Sequence, residues 1–358
     1  MRRYIEIKTI FAIVIAVMLL ATGCSKDSSQ EVAKGTVYND YGTYVFFGVD
    51  SRAEGDDWIN DQSTGSEGAP SSDVIMLLTV DKESKEAKII SVYRDTMLDV
   101  AGDGSDFEKC NTAYRESGPY GAIDMLEKNL DLHIDGYATA NFMTVADAID
   151  MLGGVTVDVE DENTYDIVSE KTGMKNVVDT TNGYIKEMNR IYNTDTPLLE
   201  QAGEQTLTGL QAVAYSRVRY TEGSDRKRTE RQRNVVLLMA QKLKDSDTET
   251  QHRVLKEMYK EIDTDLDESE LSSLFDSIIG YNLDELTGFP FFMTNIIDDI
   301  KGEMLVPCDL KANVTKLHSF MYDNDEYLPS DTVLKYDKLI TEETGFEADD
   351  VNEALTEF

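Results

Sequence analysis

Strand-like stretches alternate with segments of helical periodicity along most of this 358-residue chain, and that alternation limits the folds it can adopt. The stretches that predict strands are 44–49, 74–80, 88–92 and 155–159. The segments that predict helices are 120–130, 142–152, 228–244, 252–262, 268–279, 283–286 and 311–322, and 210–218 fits either a short helix or a strand. Alternating elements of this kind pack in layers around a shared core, so we expect an α/β protein. Because no stretch within 44–322 has a linker composition, the sequence predicts one large domain.

The charge balance excludes several functions. Lys and Arg total 34 against 69 Asp and Glu, which gives a net charge of −35. Such a chain lacks the basic face that nucleic-acid binding requires, whereas 41% hydrophobic residues suffice for a packed core. Three cysteines cannot form a disulfide framework, and three histidines far from them argue against a zinc site. Cys110 and Cys308 are predicted to be separate core residues, although an exported pair could oxidise.

The N-terminus has the three parts of an export signal. Basic residues precede an unbroken apolar run of 12 residues, Ile10–Ala21, which is too short to span a bilayer comfortably. Small residues then lead directly to Cys24, as in a bacterial lipoprotein cleavage site. We therefore expect residues 1–23 to be a signal peptide and Cys24 to be the lipid-modified mature N-terminus, followed by a polar tether over 24–43. The alternative is an uncleaved signal anchor, and either form places the body outside the cytoplasm, tethered to the cell membrane.

The C-terminal region differs in composition from the rest. Residues 323–358 carry 12 acidic side chains against two lysines. This imbalance predicts a solvated, weakly ordered acidic extension.

Arginine is concentrated in one short segment. Six of the 13 arginines fall within 17 residues, in a window with seven basic and three acidic side chains. They are Arg217, Arg219, Arg226, Arg228, Arg231 and Arg233. Since the guanidinium fork pairs bidentately with phosphate, the cluster predicts a site for a small, densely anionic group. A solvated helix face paired with Glu230 is the alternative, but it leaves out Arg217 and Arg219, which alternation would place on one side of a strand end.

Charged residues also follow or precede the predicted strands. Asp50 and Arg52 come after the first strand, Asp73 precedes the second, and Arg94 and Asp95 follow the third. Loops outside strand ends carry the ligands of layered α/β sheets. Carboxylates together with arginines at such ends are the residues that a magnesium ion with a phosphate group requires.

Several motifs, taken in order over residues 44–322, resemble those of the LytR-CpsA-Psr family. They are Phe47-Gly48-Val49-Asp50-Ser51-Arg52, Ser72-Asp73-Val74-Ile75-Met76-Leu77, Ser91-Val92-Tyr93-Arg94-Asp95-Thr96, Asn111-Thr112-Ala113-Tyr114, Tyr215-Ser216-Arg217-Val218-Arg219 and Asp225-Arg226-Lys227-Arg228-Thr229-Glu230-Arg231-Gln232. Two positions depart from the family pattern. Tyr93 stands where proline is usual, and Val74 stands where threonine is common; both adjoin functional positions without replacing them.

The resemblance implies an extracytoplasmic phosphotransferase. Such enzymes take a glycopolymer, either teichoic acid or capsular polysaccharide, from its polyprenyl-pyrophosphate carrier and attach it to peptidoglycan through a phosphodiester. It also implies a central mixed sheet flanked by helices, with an apolar channel for the polyprenyl chain.

The resemblance assigns roles to individual residues. Asp50 and Asp73 would hold Mg²⁺, with Mn²⁺ as the alternative ion, and one of them would act as general base. The implied catalytic residues are Asp50, Asp73, Arg94, Arg217 and Arg219. The implied substrate-binding residues are Arg52, Asp225, Arg228, Arg231 and Gln232, of which Arg52 and Arg231 are also candidates for supporting roles in folding.

Two other functions remain open from the sequence. One is a non-catalytic extracellular lipoprotein that binds a polyprenyl-pyrophosphate lipid or another anionic solute. The other is a hydrolase that cleaves the same pyrophosphate with water as acceptor. A DNA-binding regulator is disfavoured, because an exported, strongly acidic chain has neither access to DNA nor a basic groove.

Overall fold

A computed structural model describes residues 40–49, 70–164, 175–219, 224–265, 267 and 282–353. The strands are β1 (Tyr41–Val49), β2 (Ser72–Asp81), β3 (Glu86–Val92), β4 (Met97–Asp99), β5 (Phe107–Lys109), β6 (Gly136–Asn141), β7 (Val155–Val159), β8 (Asn163–Thr164), β9 (Lys175–Asn176), β10 (Gly203–Leu207), β11 (Asp263–Thr264), β12 (Asn282–Phe289), β13 (Met293–Asp298) and β14 (Gly302–Pro307). The helices are α1 (Asn111–Leu130), α2 (Phe142–Met151), α3 (Val177–Tyr192), α4 (Gly209–Ser216), α5 (Ser224–Lys244), α6 (Thr248–Tyr259), α7 (Leu310–Tyr322) and α8 (Asp331–Thr344), followed by a 3₁₀ turn at Ala348–Asp350.

A six-stranded mixed sheet forms the centre, in the order β11-β6-β1-β2-β3-β12. β1 runs parallel to β6 and β3 parallel to β12, while β2 is antiparallel to both of its neighbours. The C-terminal ends of β1, β3, β6 and β12 therefore lie at the same edge of the sheet as the N-terminal end of β2. We call this the C-terminal edge; it is defined by Val49, Ser72, Val92, Asn141 and Phe289.

Alternate side chains of the central strands supply two separate cores. Tyr44 and Phe46 of β1 pack on one face with helices α2 to α6, whereas Val45 and Phe47 pack on the other with α1, α7 and α8. Successive strand residues point to opposite faces, so a strand that is apolar at nearly every position must be covered on both sides. The result is a three-layer arrangement of helices, sheet and helices, which confirms the predicted α/β fold with a central mixed sheet.

The junction between β6 and α2 is set locally. Asn141 ends the strand, and its side-chain oxygen accepts the Thr144 backbone N–H at 2.9 Å, which caps the helix. Helix α4 then packs directly on α2 at Gly209, where a Cβ atom would lie 1.9 Å from the Ala146 carbonyl oxygen. Only glycine permits this approach, so the two helices are held at backbone distance.

The structure corrects one predicted element and resolves another. The helix predicted over 283–286 is wrong, because these residues belong to β12, which pairs with β3 at the side of the sheet. The ambiguous stretch 210–218 is helical as far as Ser216, within α4. The helix predicted over 268–279 lies outside the described residues, as do the predicted signal peptide, Cys24 and most of the tether over 24–43.

The predicted weak order of the C-terminal extension is wrong for residues 331–344. These residues form α8, and Val333, Tyr336 and Ile340 are buried in the same core as α1 and α7. Although the segment is acidic overall, it has an apolar side chain at every third or fourth position. These side chains suffice to pack one face of the helix on the core. Cys110 and Cys308 are both free and buried, as expected for core residues. No helix in the described ranges is long and apolar enough to cross a membrane.

Candidate functional site

Asp73 and Arg94 meet at the C-terminal edge. Arg94 Nη1 donates a hydrogen bond to Asp73 Oδ1, and both side chains are about four-fifths buried, with exposures of 18% and 20%. The antiparallel register pairs Met76 with Ser91, and three further steps bring position 73 opposite position 94. Strand pairing thus joins two residues that are 21 positions apart in sequence. Asp73 has a cationic partner that the sequence did not indicate.

A second carboxylate holds the other side of Arg94. Asp95 Oδ2 lies 3.4 Å from Arg94 Nε, and Asp95 Oδ1 lies 3.5 Å from Nζ of Lys109. Lys109 was missed by the sequence reasoning, although it stands two residues before the Asn111 motif. Acidic and basic side chains therefore alternate along this edge, in the order Asp73, Arg94, Asp95 and Lys109.

Arg217 lies at the end of helix α4 rather than at a strand end. The expectation based on strand alternation is therefore wrong, because the apolar stretch before Arg217 is helical and Arg217 is its C-cap. Its guanidinium carbon lies over two aromatic rings, 5.1 Å from the centre of Phe142 and 4.8 Å from that of Tyr184. Phe142 follows directly on β6, so this contact is made beside the C-terminal edge. Arg219, two residues further on, is partly buried.

Arg231 is placed in the interior. Its side chain is 1% exposed, and Nε lies 3.2 Å from Oε1 of Glu160, while Nη1 donates to the Val218 carbonyl at 3.2 Å. The hydroxyl of Tyr215 donates to the same Glu160 carboxylate at 2.7 Å, and burial together with this carboxylate raises the pKa of the tyrosine. Since the guanidinium of Arg231 is engaged inside the protein, the structure favours its supporting role over the predicted direct contact with substrate.

Arg228 and Gln232 are one turn apart on α5 and are both buried, with exposures of 2% and 5%. Oε1 of Gln232 has no hydrogen-bond partner among the residues that the structure describes. A buried acceptor of this kind usually pairs with a protein group, an ordered water or a bound ligand. Arg233 instead donates to the Thr287 carbonyl at 3.0 Å and so ties α5 to β12.

The structure does not describe the side chains of the remaining predicted site residues. Asp50 and Arg52 lie outside the described residues, and the side chain of Asp225 at the start of α5 is also outside them. Val49, the residue before Asp50, pairs with Ser72, the residue before Asp73. Within the described ranges no group of three or more His, Cys, Asp or Glu side chains is arranged to hold a metal ion.

The protein is therefore a three-layer α/β protein with a cluster of arginine and aspartate side chains at one edge of its central sheet. The chain belongs to the LytR_cpsA_psr family, whose model matches residues 20–302. This confirms the resemblance seen in the motifs.

Two similar proteins carry functional names. One is "Polyisoprenyl-teichoic acid--peptidoglycan teichoic acid transferase TagU" of Halalkalibacterium halodurans, 31% identical over 212 residues, which are 59% of this chain and 56% of the relative. The other is the transferase TagV of Bacillus subtilis, named in the same way, 32% identical over 181 residues, which are 50% and 40% of the two chains. This chain thus spans about half the length of the curated relatives it matches.

The fold is shared with a solved structure. The crystal structure of B. subtilis TagV superimposes with a TM-score of 0.58 at 21% identity, covering 81% of this chain and 99% of the other. This likeness covers a larger share of the chain than the sequence match to TagV does.

Proposed function

We propose that this protein transfers an anionic glycopolymer from polyprenyl pyrophosphate to peptidoglycan. The pairing of Asp73 with Arg94 at the C-terminal edge is the observation that carries the proposal, because it joins two family motifs in one charged cluster. The names of the relatives support teichoic acid as the class of cargo. Capsular polysaccharide remains an alternative cargo of the same chemistry.

The reaction we propose is a displacement at phosphorus. An acceptor hydroxyl oxygen on peptidoglycan bonds to the phosphorus that carries the glycopolymer, and the bond from that phosphorus to the bridging oxygen breaks. Polyprenyl phosphate leaves, and the hydroxyl proton passes to a carboxylate. Phosphoryl transfer depends mainly on positioning and on neutralising oxygen charge, which arginines such as Arg94 and Arg217 supply without a covalent intermediate.

We further propose Mg²⁺, or Mn²⁺, as cofactor, held by Asp73 and Asp50. Asp73 fits the ion, since its carboxylate is a hard oxygen ligand that reaches the C-terminal edge and remains partly exposed beside Arg94. When bound, the ion would neutralise charge on the pyrophosphate oxygens. Arg94 balances the Asp73 charge, so the aspartate is not an isolated buried anion.

The proposed location is the outer face of the cell membrane. It rests on the apolar run before Cys24, which predicts a lipid anchor or a signal anchor. A membrane tether would keep the protein close to a donor whose lipid tail stays in the bilayer.

The transfer reaction can be tested directly. The full chain in detergent is given a polyprenyl-pyrophosphate-linked oligosaccharide and a peptidoglycan fragment, and both polyprenyl phosphate and the phosphodiester product are measured. We expect Arg94→Ala to abolish both products, while the exposed Arg253→Ala on α6 serves as a matched control with normal turnover. Polyprenyl phosphate without the phosphodiester would identify a hydrolase, and tight binding without either product would identify a carrier.

The metal proposal has its own test. Chelator should stop the reaction and added Mg²⁺ should restore it. Asp73→Asn should remain inactive at all Mg²⁺ concentrations while its melting temperature stays close to that of the wild type. Full turnover in chelator would remove the ion from the mechanism.

A further inference from the structure

We propose that Tyr184, together with Phe142, is a positioning residue that sets the guanidinium of Arg217 for the anionic group of the donor. The inference rests on the proposed function and adds to it a residue that none of the family motifs contains. The Arg217 guanidinium carbon lies 4.8 Å from the Tyr184 ring centre and 5.1 Å from the Phe142 ring centre. We refer to these two rings as the aromatic clamp.

The two rings of the aromatic clamp and Arg217 come from three different helices, each of which packs on the core. Phe142 is the first residue of α2 and is buried, with its helix capped by Asn141. Tyr184 lies in the middle of α3, where Ile185 is fully buried and fixes the helix on the core. Arg217 ends α4, whose Gly209 holds it at backbone distance from α2.

The chemistry of the contact suits a positioning role. A cation over an aromatic face is attracted by the ring electrons, and the attraction grows when the site is shielded from water. Oxygen ligands are instead bound by N–H groups in the plane of the guanidinium. By contacting the face of the guanidinium, the rings restrict the rotamers of the long Arg217 side chain. Less conformational entropy is then lost when a phosphate binds in the plane of the guanidinium.

A purely structural role for Tyr184 makes a different prediction. Tyr184 is partly buried at the margin of the core, and so is Tyr192 on the same helix. If both rings only filled space, their replacement by leucine would change stability alone. If Tyr184 positions Arg217, its aromatic ring must matter to binding while its hydroxyl need not.

The test compares Tyr184→Leu with Tyr184→Phe, and uses Tyr192→Leu as the matched control. Full-chain protein is titrated with farnesyl pyrophosphate in detergent micelles, and melting temperatures are recorded in parallel. We expect Tyr184→Leu to bind about 3- to 30-fold more weakly, from the usual strength of such contacts, and the other two variants to stay within about twofold of the wild type. Wild-type affinity in Tyr184→Leu, or an equal loss in Tyr184→Phe, would overturn the proposal.

A spectroscopic readout separates this inference from the proposed function. The Nε–Hε resonance of Arg217, assigned with Arg217→Lys, should be displaced by the ring currents of the clamp. We expect the displacement to persist in Tyr184→Phe and to shrink in Tyr184→Leu. A wild-type protein that binds no pyrophosphate would contradict the proposed function, while an unchanged resonance in Tyr184→Leu would contradict the clamp whatever the ligand result.

Discussion

Among the ion pairs that the structure describes, the pair of Glu160 and Arg231 should lower the free energy of unfolding most when one partner is removed. Arg231 is 1% exposed, so its charge has almost no access to water. Replacement of Glu160 by alanine would leave this charge near the Val218 carbonyl at 3.2 Å, the Glu162 carboxylate at 4.0 Å and the centre of the Tyr215 ring at 5.8 Å. It would also remove the acceptor of the Tyr215 hydroxyl.

The size of the effect follows from the burial of each partner. Removing one member of a buried pair commonly costs about 3–5 kcal/mol. Because the Glu160 side chain is 25% exposed, solvent screening lowers that figure. We expect Glu160→Ala to reduce the free energy of unfolding by about 2–4 kcal/mol. Urea unfolding followed by circular dichroism measures it, with Glu200→Ala, at an exposed position, as the control.

A double variant distinguishes buried charge from lost packing. In Glu160→Leu/Arg231→Met both charges are replaced by apolar groups of similar length, which is often neutral for stability. We expect it to recover at least half of the loss seen in Glu160→Ala. A loss below about 1 kcal/mol in Glu160→Ala, or no recovery in the double variant, would refute the reasoning that an unpaired interior charge is responsible.

Three further outcomes are expected. Arg94→Ala and Arg217→Ala should each bind farnesyl pyrophosphate at least about tenfold more weakly, since a hydrogen bond to a charged group contributes about 1.5–3 kcal/mol, and titration showing unchanged affinity in both would contradict the site. His318 is buried and stacked on Tyr327, and burial lowers its pKa from 6.5 to about 4, so the unfolded state takes up the proton first as pH falls from 6.5 towards 4. Stability should therefore decline by about 2 kcal/mol between pH 7 and pH 5, and this part of the slope should vanish in His318→Phe. Mass spectrometry of the mature membrane form should find a lipid-modified Cys24, and an intact N-terminal Met1 would leave only the signal anchor.

The α/β class and the family were predictable because they depend on local patterns. A strand buried on both faces must be apolar at nearly every position, as in Tyr44–Val49, and helix α2 has buried apolar side chains at helical spacing. The family motifs are short and lie mainly at strand and helix ends. Neither inference requires knowledge of which strands are neighbours.

The errors have the same origin. Local periodicity could not distinguish β12 from a helix, because that strand is defined by its pairing with β3. Composition could not reveal that α8 docks through Val333, Tyr336 and Ile340, because a few apolar side chains at helical spacing outweigh many solvated acids once a core receives them.

The sequence by itself determined the motifs and therefore the set of candidate charges; the tertiary structure decided which of them meet. Sheet order and register placed Asp73 against Arg94 and brought Lys109 to the same edge. Packing buried both Arg228 and Arg231 of α5 and joined Arg231 to Glu160. These contacts join residues far apart in the chain, and each exists only after strands pair and helices pack, which no local pattern encodes.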